Sequence, residues 1–223
     1  MSVGATLSLL RLTSPALPIG AYAYSRGLEG AVHAGAVCGA SSTLSWILGS
    51  LEHVLCPLDG AIACRLYAAF VAADLDAVRR WSARLRASRE SRELLLEDEQ
   101  LGLALGRLLT SLGVDGADLR AADIAPTHVG AFMLAAVHAG IELPQALAGF
   151  YYAFCEGQVS AAQRLLPLGQ TAGQRILAAS LPVIERCVMQ TLALADDDVG
   201  STAPGLALYS ASHETQYSRL FRS

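Results

Sequence analysis

His53 and Cys56 stand three residues apart, close enough to share one face of a helix, and Cys64 follows further along. Imidazole and thiolate at that spacing can ligate a divalent metal. Metal centres of this kind ordinarily combine two such short pairs, and no second pair follows here. His128 and His138 are too far apart to occupy adjacent turns. These residues therefore read as separate core thiols and hydrogen-bonded histidines, with no resident metal.

The carboxylate runs Glu97-Asp98-Glu99 and Asp196-Asp197-Asp198 offer a second chemistry. In a helical protein, acidic residues recurring at i+3 or i+4 can hold magnesium for work on diphosphates, provided a partner motif faces them. Glu93 and Glu97 share a face, with Arg89 one turn earlier. The simpler reading is a solvated, salt-bridged helix face. Asp196 to Asp198, beside Gly200 and Pro204, reads as a solvated linker. No glycine-rich phosphate loop, G-x-S-x-G elbow or H-E-x-x-H pair occurs. All 16 basic side chains are arginine, and the absence of lysine excludes a Schiff-base lysine, a lysine nucleophile and a Walker A lysine. No catalytic constellation is expected.

Two segments suit contact with another protein better. Tyr209 to Ser223 carries tyrosines, a phenylalanine and arginines beyond the acidic linker, where chain ends are ordinarily small and polar. Tyrosine and arginine are enriched among interface anchors. The expectation is docking on a partner, against the alternative that the segment folds back onto its own core. Near the other end, Ser14-Pro15-Ala16-Leu17-Pro18-Ile19-Gly20 is stiffened by its prolines. It leads into Tyr22, Tyr24, Ser25, Arg26, Gly27, Leu28 and Glu29.

The elements that must position these residues are helical. Apolar residues recur at helical spacing almost throughout, and no alternating run suggests a strand. Ser41 to Thr43 can open a helix through Trp46, Ile47, Leu51, Val54 and Leu55 that stops near Pro57, with Asp59 capping the next. Asp74 opens another, striped by Leu75, Val78, Trp81 and Leu85. Glu90 to Leu112 forms a further helix, whose Gly102 and Gly106 allow another backbone to approach. Gly113 to Asp118 reads as a turn. Prolines 126 and 144 open two more helices, the second carrying Phe150, Tyr151, Tyr152 and Phe154 into the centre of the core. After a break at Leu166 to Gly169, Pro182 is expected to kink or end the following helix, and a last one reaches about Ala195. The fold expected is all-α: a single compact domain of roughly ten helices over residues 1–195, then an acidic linker and partner-binding tail over residues 196–223.

The 223 residues are 53% hydrophobic and 16% charged, the latter below the roughly 25% usual in globular domains. Net charge is -4, and acids interleave with the arginines between positions 74 and 99, which argues against nucleic acid as a partner. Mean hydropathy is +0.40, supplied mainly by alanine. Neither Gly30–Leu51 nor Ile124–Ile141 has the composition of a spanning helix, so no membrane association is expected. The absence of a recognisable signal peptide and the odd, scattered cysteines suit a reducing, cytoplasmic setting.

Three segments together resemble the urease accessory protein UreF family. They are Ser14 to Gly20 with Tyr24 to Glu29, Val159 to Gln174 (VSAAQRLLPLGQTAGQ), and His213 to Ser223 (HETQYSRLFRS). Glu99-Gln100-Leu101-Gly102 is a weaker fourth match. The chain departs from the family pattern at Ala21 and Ala23, in place of a Gly-Gly, aromatic and serine pattern, and at Ser212, where arginine is frequent.

The resemblance implies an all-α homodimer, not itself an enzyme, that acts in nickel-dependent urease maturation. Such a protein bridges UreD (also called UreH) to the GTPase UreG, regulates GTP hydrolysis and engages apo-urease. It holds no cofactor stably, and nickel and GTP are handled by its partners. On this reading His213, Glu214, Gln216, Tyr217, Arg219, Leu220, Phe221 and Arg222 contact UreD. Tyr24, Ser25, Arg26, Glu29, Pro167, Gly169, Gln170, Gln174 and Arg175 face UreG or the dimer partner. Deleting His213–Ser223 is expected to leave the helical domain folded. A direct nickel-binding metallochaperone using His53, Cys56 or Cys64 is the alternative, and a magnesium-dependent enzyme using Glu93 and Glu97 a third reading.

Overall fold

The computed structural model describes residues 2–223 except 117, 118, 120–122 and 202. The described residues form helices and connecting turns, with no strand among them. The elements are α1 (Val3–Leu12), a 3-10 turn (Ala21–Ala23), α2 (Leu28–His33), α3 (Ala40–Ser50), a π-helical stretch (Leu51–Gly60) and α4 (Ala61–Val71). They continue with α5 (Leu75–Ala87), α6 (Arg92–Ser111), α7 (His128–His138), α8 (Leu143–Leu165), α9 (Gln170–Ala193), a second 3-10 turn (Asp196–Asp198) and α10 (Pro204–His213). The turn expected at Gly113 to Asp118 lies partly outside the described residues.

Side-chain oxygens start several helices: Asp74 accepts from the Ala77 amide at 2.9 Å, Ser91 from Leu94 at 3.1 Å and Thr127 from Gly130 at 3.0 Å. Each satisfies a first-turn donor that has no partner within its own helix. Pro57 behaves otherwise than expected. It does not stop its helix, because the π-helical stretch carries the chain through it and joins α3 to α4. A wider turn tolerates the missing N–H, and the Pro57 carbonyl accepts from the Gly200 amide at 3.1 Å. Asp59 is accordingly no cap; it lies inside the protein. Pro182, expected to kink or end its helix, does not end it: α9 runs on to Ala193.

The main core gathers Ile47, Leu51, Leu55, Leu58, Ile62 and Leu66 from the long α3–α4 rod against Phe132 and Met133 of α7, Phe150 and Tyr151 of α8, and Ile184 and Cys187 of α9. Tyr151 is buried and shares a 2.6 Å hydrogen bond with Thr191, fastening α8 to α9 at a polar point in an apolar interior. Of the four aromatics expected at the centre, Phe150 and Tyr151 are buried, Phe154 is half-buried and Tyr152 faces outward. Among the described residues, Ala40–Val71 and Gln170–Ala193 are long and apolar enough to cross a membrane; here their inward faces supply core.

A second, smaller apolar cluster decides where the C-terminal segment goes. Leu28, Ala31 and Val37 meet Ala161 and Ala162 of α8, and Phe221 fills the space between them. Helix α10 lies so close to α2 that a Cβ on Gly30 would collide with the Tyr209 carbonyl. The close approach expected on α6 is also present, since a Cβ on Gly102 would come within 2.5 Å of the Thr127 backbone.

Candidate functional site

Between these two clusters runs a layer of charge. Asp59, Glu93, Glu97 and Asp98 are buried, with relative exposures of 0%, 7%, 3% and 0%. The α6 carboxylates are thus not a solvated face. Burying a charge is tolerable only where opposite charge and hydrogen bonds replace water. Arg89 meets Asp59 with both terminal nitrogens, at 3.1 and 2.8 Å, and reaches Asp98 at 3.3 Å. The other Asp98 oxygen accepts from the His128 amide at 2.9 Å, so one carboxylate both holds Arg89 and caps α7.

Arg26 completes the lower tier. Its Nε lies 3.0 Å from Glu97 and its Nη2 3.7 Å from Asp59. Arg26 adopts a left-handed backbone (φ 51°), as does Gly27 after it (φ 79°). That conformation costs a non-glycine residue energy and is kept where the surroundings enforce it. Here it aims the guanidinium inward while the Arg26 amide faces the Ser223 hydroxyl at 3.4 Å. The Ser25 amide donates to the Ser223 carbonyl at 2.9 Å, and the Ser223 hydroxyl donates to Glu97 at 2.6 Å. Gln158 fixes this corner by donating to the Ser25 carbonyl at 2.9 Å while accepting from the Trp46 indole at 3.0 Å.

The upper tier seats the rest of the segment. Glu29 accepts from the amides of Leu220 (2.7 Å) and Phe221 (2.8 Å) and contacts His213 Nε2 at 3.0 Å. Glu93 contacts His213 Nδ1 at 2.8 Å and accepts from Arg219 at 3.0 Å. Arg164 of α8 covers the Phe221 ring at 4.4 Å from its centroid and donates to the Tyr22 carbonyl at 2.9 Å.

Charge states follow the same geometry. Burial opposes ionisation of Asp59, but Arg89 and Arg26 outweigh it and hold this carboxyl below its usual range. Burial wins at Glu97 and raises it, despite Arg26 and the Ser223 hydroxyl. Burial also depresses the His128 imidazole to about 4, against the pull of Asp98.

A cleft of about 380 Å³ opens beside this layer, between the Ser14–Tyr24 segment and helices α8 and α9. Phe132, Phe150 and Phe154 line it together with His128, Glu156 and Gln174.

The structure brings together many of the residues singled out from sequence. Ser25, Arg26 and Glu29, read as facing UreG or a dimer partner, also touch the chain's own C-terminal segment, Arg26 through its amide. Tyr24, Gln170 and Gln174 line the cleft, while Pro167, Gly169 and Arg175 are exposed around it. Within His213 to Ser223 the roles divide. His213 and Phe221 are buried anchors, Glu214 and Gln216 are half-buried, and Tyr217, Arg219, Leu220 and Arg222 are exposed.

The Asp196–Asp198 linker is partly pinned, with Arg65 on Asp196 at 2.8 Å and Val199 buried. His53 is exposed whereas Cys56 is buried against the Cys187 carbonyl and Thr191, so the pair offers no common face. No group of three or more potential metal ligands occurs among the described residues. Sequence reasoning gave Asp59, Arg89, Asp98 and His128 other roles and gave Arg164 none of its own. Glu93 and Glu97 continue the buried Leu101 and Leu105 stripe at steps of four, a signal that α6 turns its acids inward.

Residues 37–181 match the UreF family model. The chain belongs to the UreF family. It is 51% identical over 217 residues to urease accessory protein UreF 2 of Brucella anthropi, covering 97% of this chain and 96% of that one. It is 48% identical to urease accessory protein UreF of Teredinibacter turnerae, with 97% and 98% covered, and 46% identical to that of Alkalilimnicola ehrlichii, with 96% and 94% covered. At 96–97% of this chain, these likenesses extend beyond the family-model match on both sides.

Proposed function

We propose that this chain is a cytoplasmic, non-catalytic adaptor in nickel-dependent urease maturation, bridging UreD (UreH) to the GTPase UreG as a homodimer and engaging apo-urease. Nickel is cargo on this reading, and GTP is bound and hydrolysed on UreG. The observation that carries the proposal is the division of labour within the C-terminal segment. Buried anchors at His213 and Phe221 hold the backbone, so Tyr217, Leu220 and Arg222 stand outward on a preformed surface. Pre-organisation of that kind removes much of the entropy cost of docking. Tyrosine, leucine and arginine together form an apolar contact with a charged rim, suited to UreD.

Regulation of GTP hydrolysis is assigned to gating. An arginine acting directly on the nucleotide is the other route, with Arg26 and Arg175 as candidates; Arg26 is held by Glu97 and Asp59, so reaching a nucleotide would break two ion pairs. Arg175 is exposed and remains the arginine to test in single-turnover GTP hydrolysis. Under gating, Arg175→Ala lowers the rate no more than it lowers UreG binding.

Deleting His213–Ser223 is a poor test, because it strips buried Glu29 and Glu93 of their partners. The better test replaces Tyr217, Leu220 and Arg222 with alanine and measures co-purification with UreD and UreG. The expected result is loss of UreD with an unchanged thermal transition. Undiminished UreD binding would refute the assignment.

A further inference from the structure

Glu156 lies in the cleft beside α8 and α9, and among the described residues no hydrogen bond or ion pair reaches its carboxylate. The other charges nearby cancel: Arg26 is matched by Glu97 at 3.0 Å. His128 stays neutral at physiological pH because burial depresses it. Partial burial raises the Glu156 carboxyl, with no cation nearby to oppose the effect. A half-dehydrated carboxylate without a counter-charge is costly to keep. The same cleft is lined by Phe132, Phe150 and Phe154, and by the Gln174 amide. At about 380 Å³ the space exceeds what a lone ion needs and falls within the range of side-chain and small-ligand pockets, about 300–1,000 Å³.

From this combination we infer that the cleft receives an arginine side chain from a partner protein, with its apolar stem on the phenylalanines and its guanidinium on Glu156. Guanidinium suits this site better than ammonium. It is planar, weakly hydrated, stacks on aromatic rings and forks between two acceptors, here the carboxylate and the Gln174 amide oxygen. The inference rests on the adaptor reading for the existence of such a partner, but it concerns a different surface from the C-terminal segment. It would give the chain two separate docking points, one apolar with an arginine rim and one accepting arginine.

The test titrates the full-length chain with N-acetyl-Phe-Arg-amide and N-acetyl-Phe-Glu-amide, followed by ligand-observed NMR. Saturable binding of the arginine peptide alone is expected. It should weaken about tenfold in Glu156→Gln and strengthen in Gln174→Glu. Both positions lack structural partners, so neither variant leaves a buried group stranded. No binding of the arginine peptide, equal binding of the two peptides, or binding indifferent to Glu156→Gln would overturn the inference. Loss of a homodimer in Glu156→Gln would assign the arginine to a second copy of this chain and overturn the partner assignment. Because the probe is a peptide, its result judges the cleft alone. A chain that binds the peptide yet co-purifies with neither UreD nor UreG would sink the adaptor reading and leave the cleft standing.

Discussion

Replacing Glu29 with glutamine should release the C-terminal segment without unfolding the helices. The carboxylate is 6% exposed and takes the Leu220 and Phe221 amides and one nitrogen of His213. Glutamine preserves the shape but presents an N–H where one oxygen stood, so at least one donor then faces another donor. Hydrogen bonds to a charged group contribute roughly 1.5–3 kcal/mol each, and an orphaned buried donor costs a similar amount. A net loss of about 3 kcal/mol is therefore expected, concentrated on the segment. At about 1.4 kcal/mol per tenfold, local opening becomes roughly 100-fold more frequent. Native-state hydrogen exchange reads this directly: Leu220 and Phe221 amides should lose about that much protection while amides inside α9 keep theirs. Protection at Leu220 and Phe221 changing by less than about threefold, or falling in step with α9, would refute the claim that Glu29 latches the segment.

Other perturbations test the rest of the charged layer. His128 should make stability fall as pH drops from about 6.5 towards 4, because the unfolded chain takes up its proton first. The loss should approach 3 kcal/mol, seen as a narrowing gap between wild type and His128→Leu in urea unfolding at pH 7 and pH 4. Arg89→Ala leaves Asp59 and Asp98 buried without their shared cation and should cost about 3–5 kcal/mol in the same assay. Gly102→Ala forces α6 away from Thr127 and should lower thermal stability by about 1–3 kcal/mol, with an unchanged helical circular dichroism signal before melting.

The helices were legible because apolar spacing and capping residues are local signals. Asp74 caps α5 as expected, and the Leu166–Gly169 break separates α8 from α9. Pro57 misled because a π-helical turn there overrides a local penalty. The charged layer misled for a different reason. A glutamate on a helix reads as solvent-facing unless its partner is known, and here the partners lie far away in sequence. Glu29 meets His213, and Glu97 meets Ser223. The resemblance singled out both the front and the terminal segments. It could not say that the two segments grip each other.

That grip has a consequence for the order of events during synthesis. Glu29 and Glu93 emerge early, and the side chains that meet them, His213 and Arg219, are added almost two hundred and over one hundred residues later respectively. Until then these acids lack their partners and keep their water, so the α2–α6 region cannot close completely. Closure of that region therefore waits on residues 213–221. Tyr217, Leu220 and Arg222 take their outward places only once His213 and Arg219 have met Glu29 and Glu93.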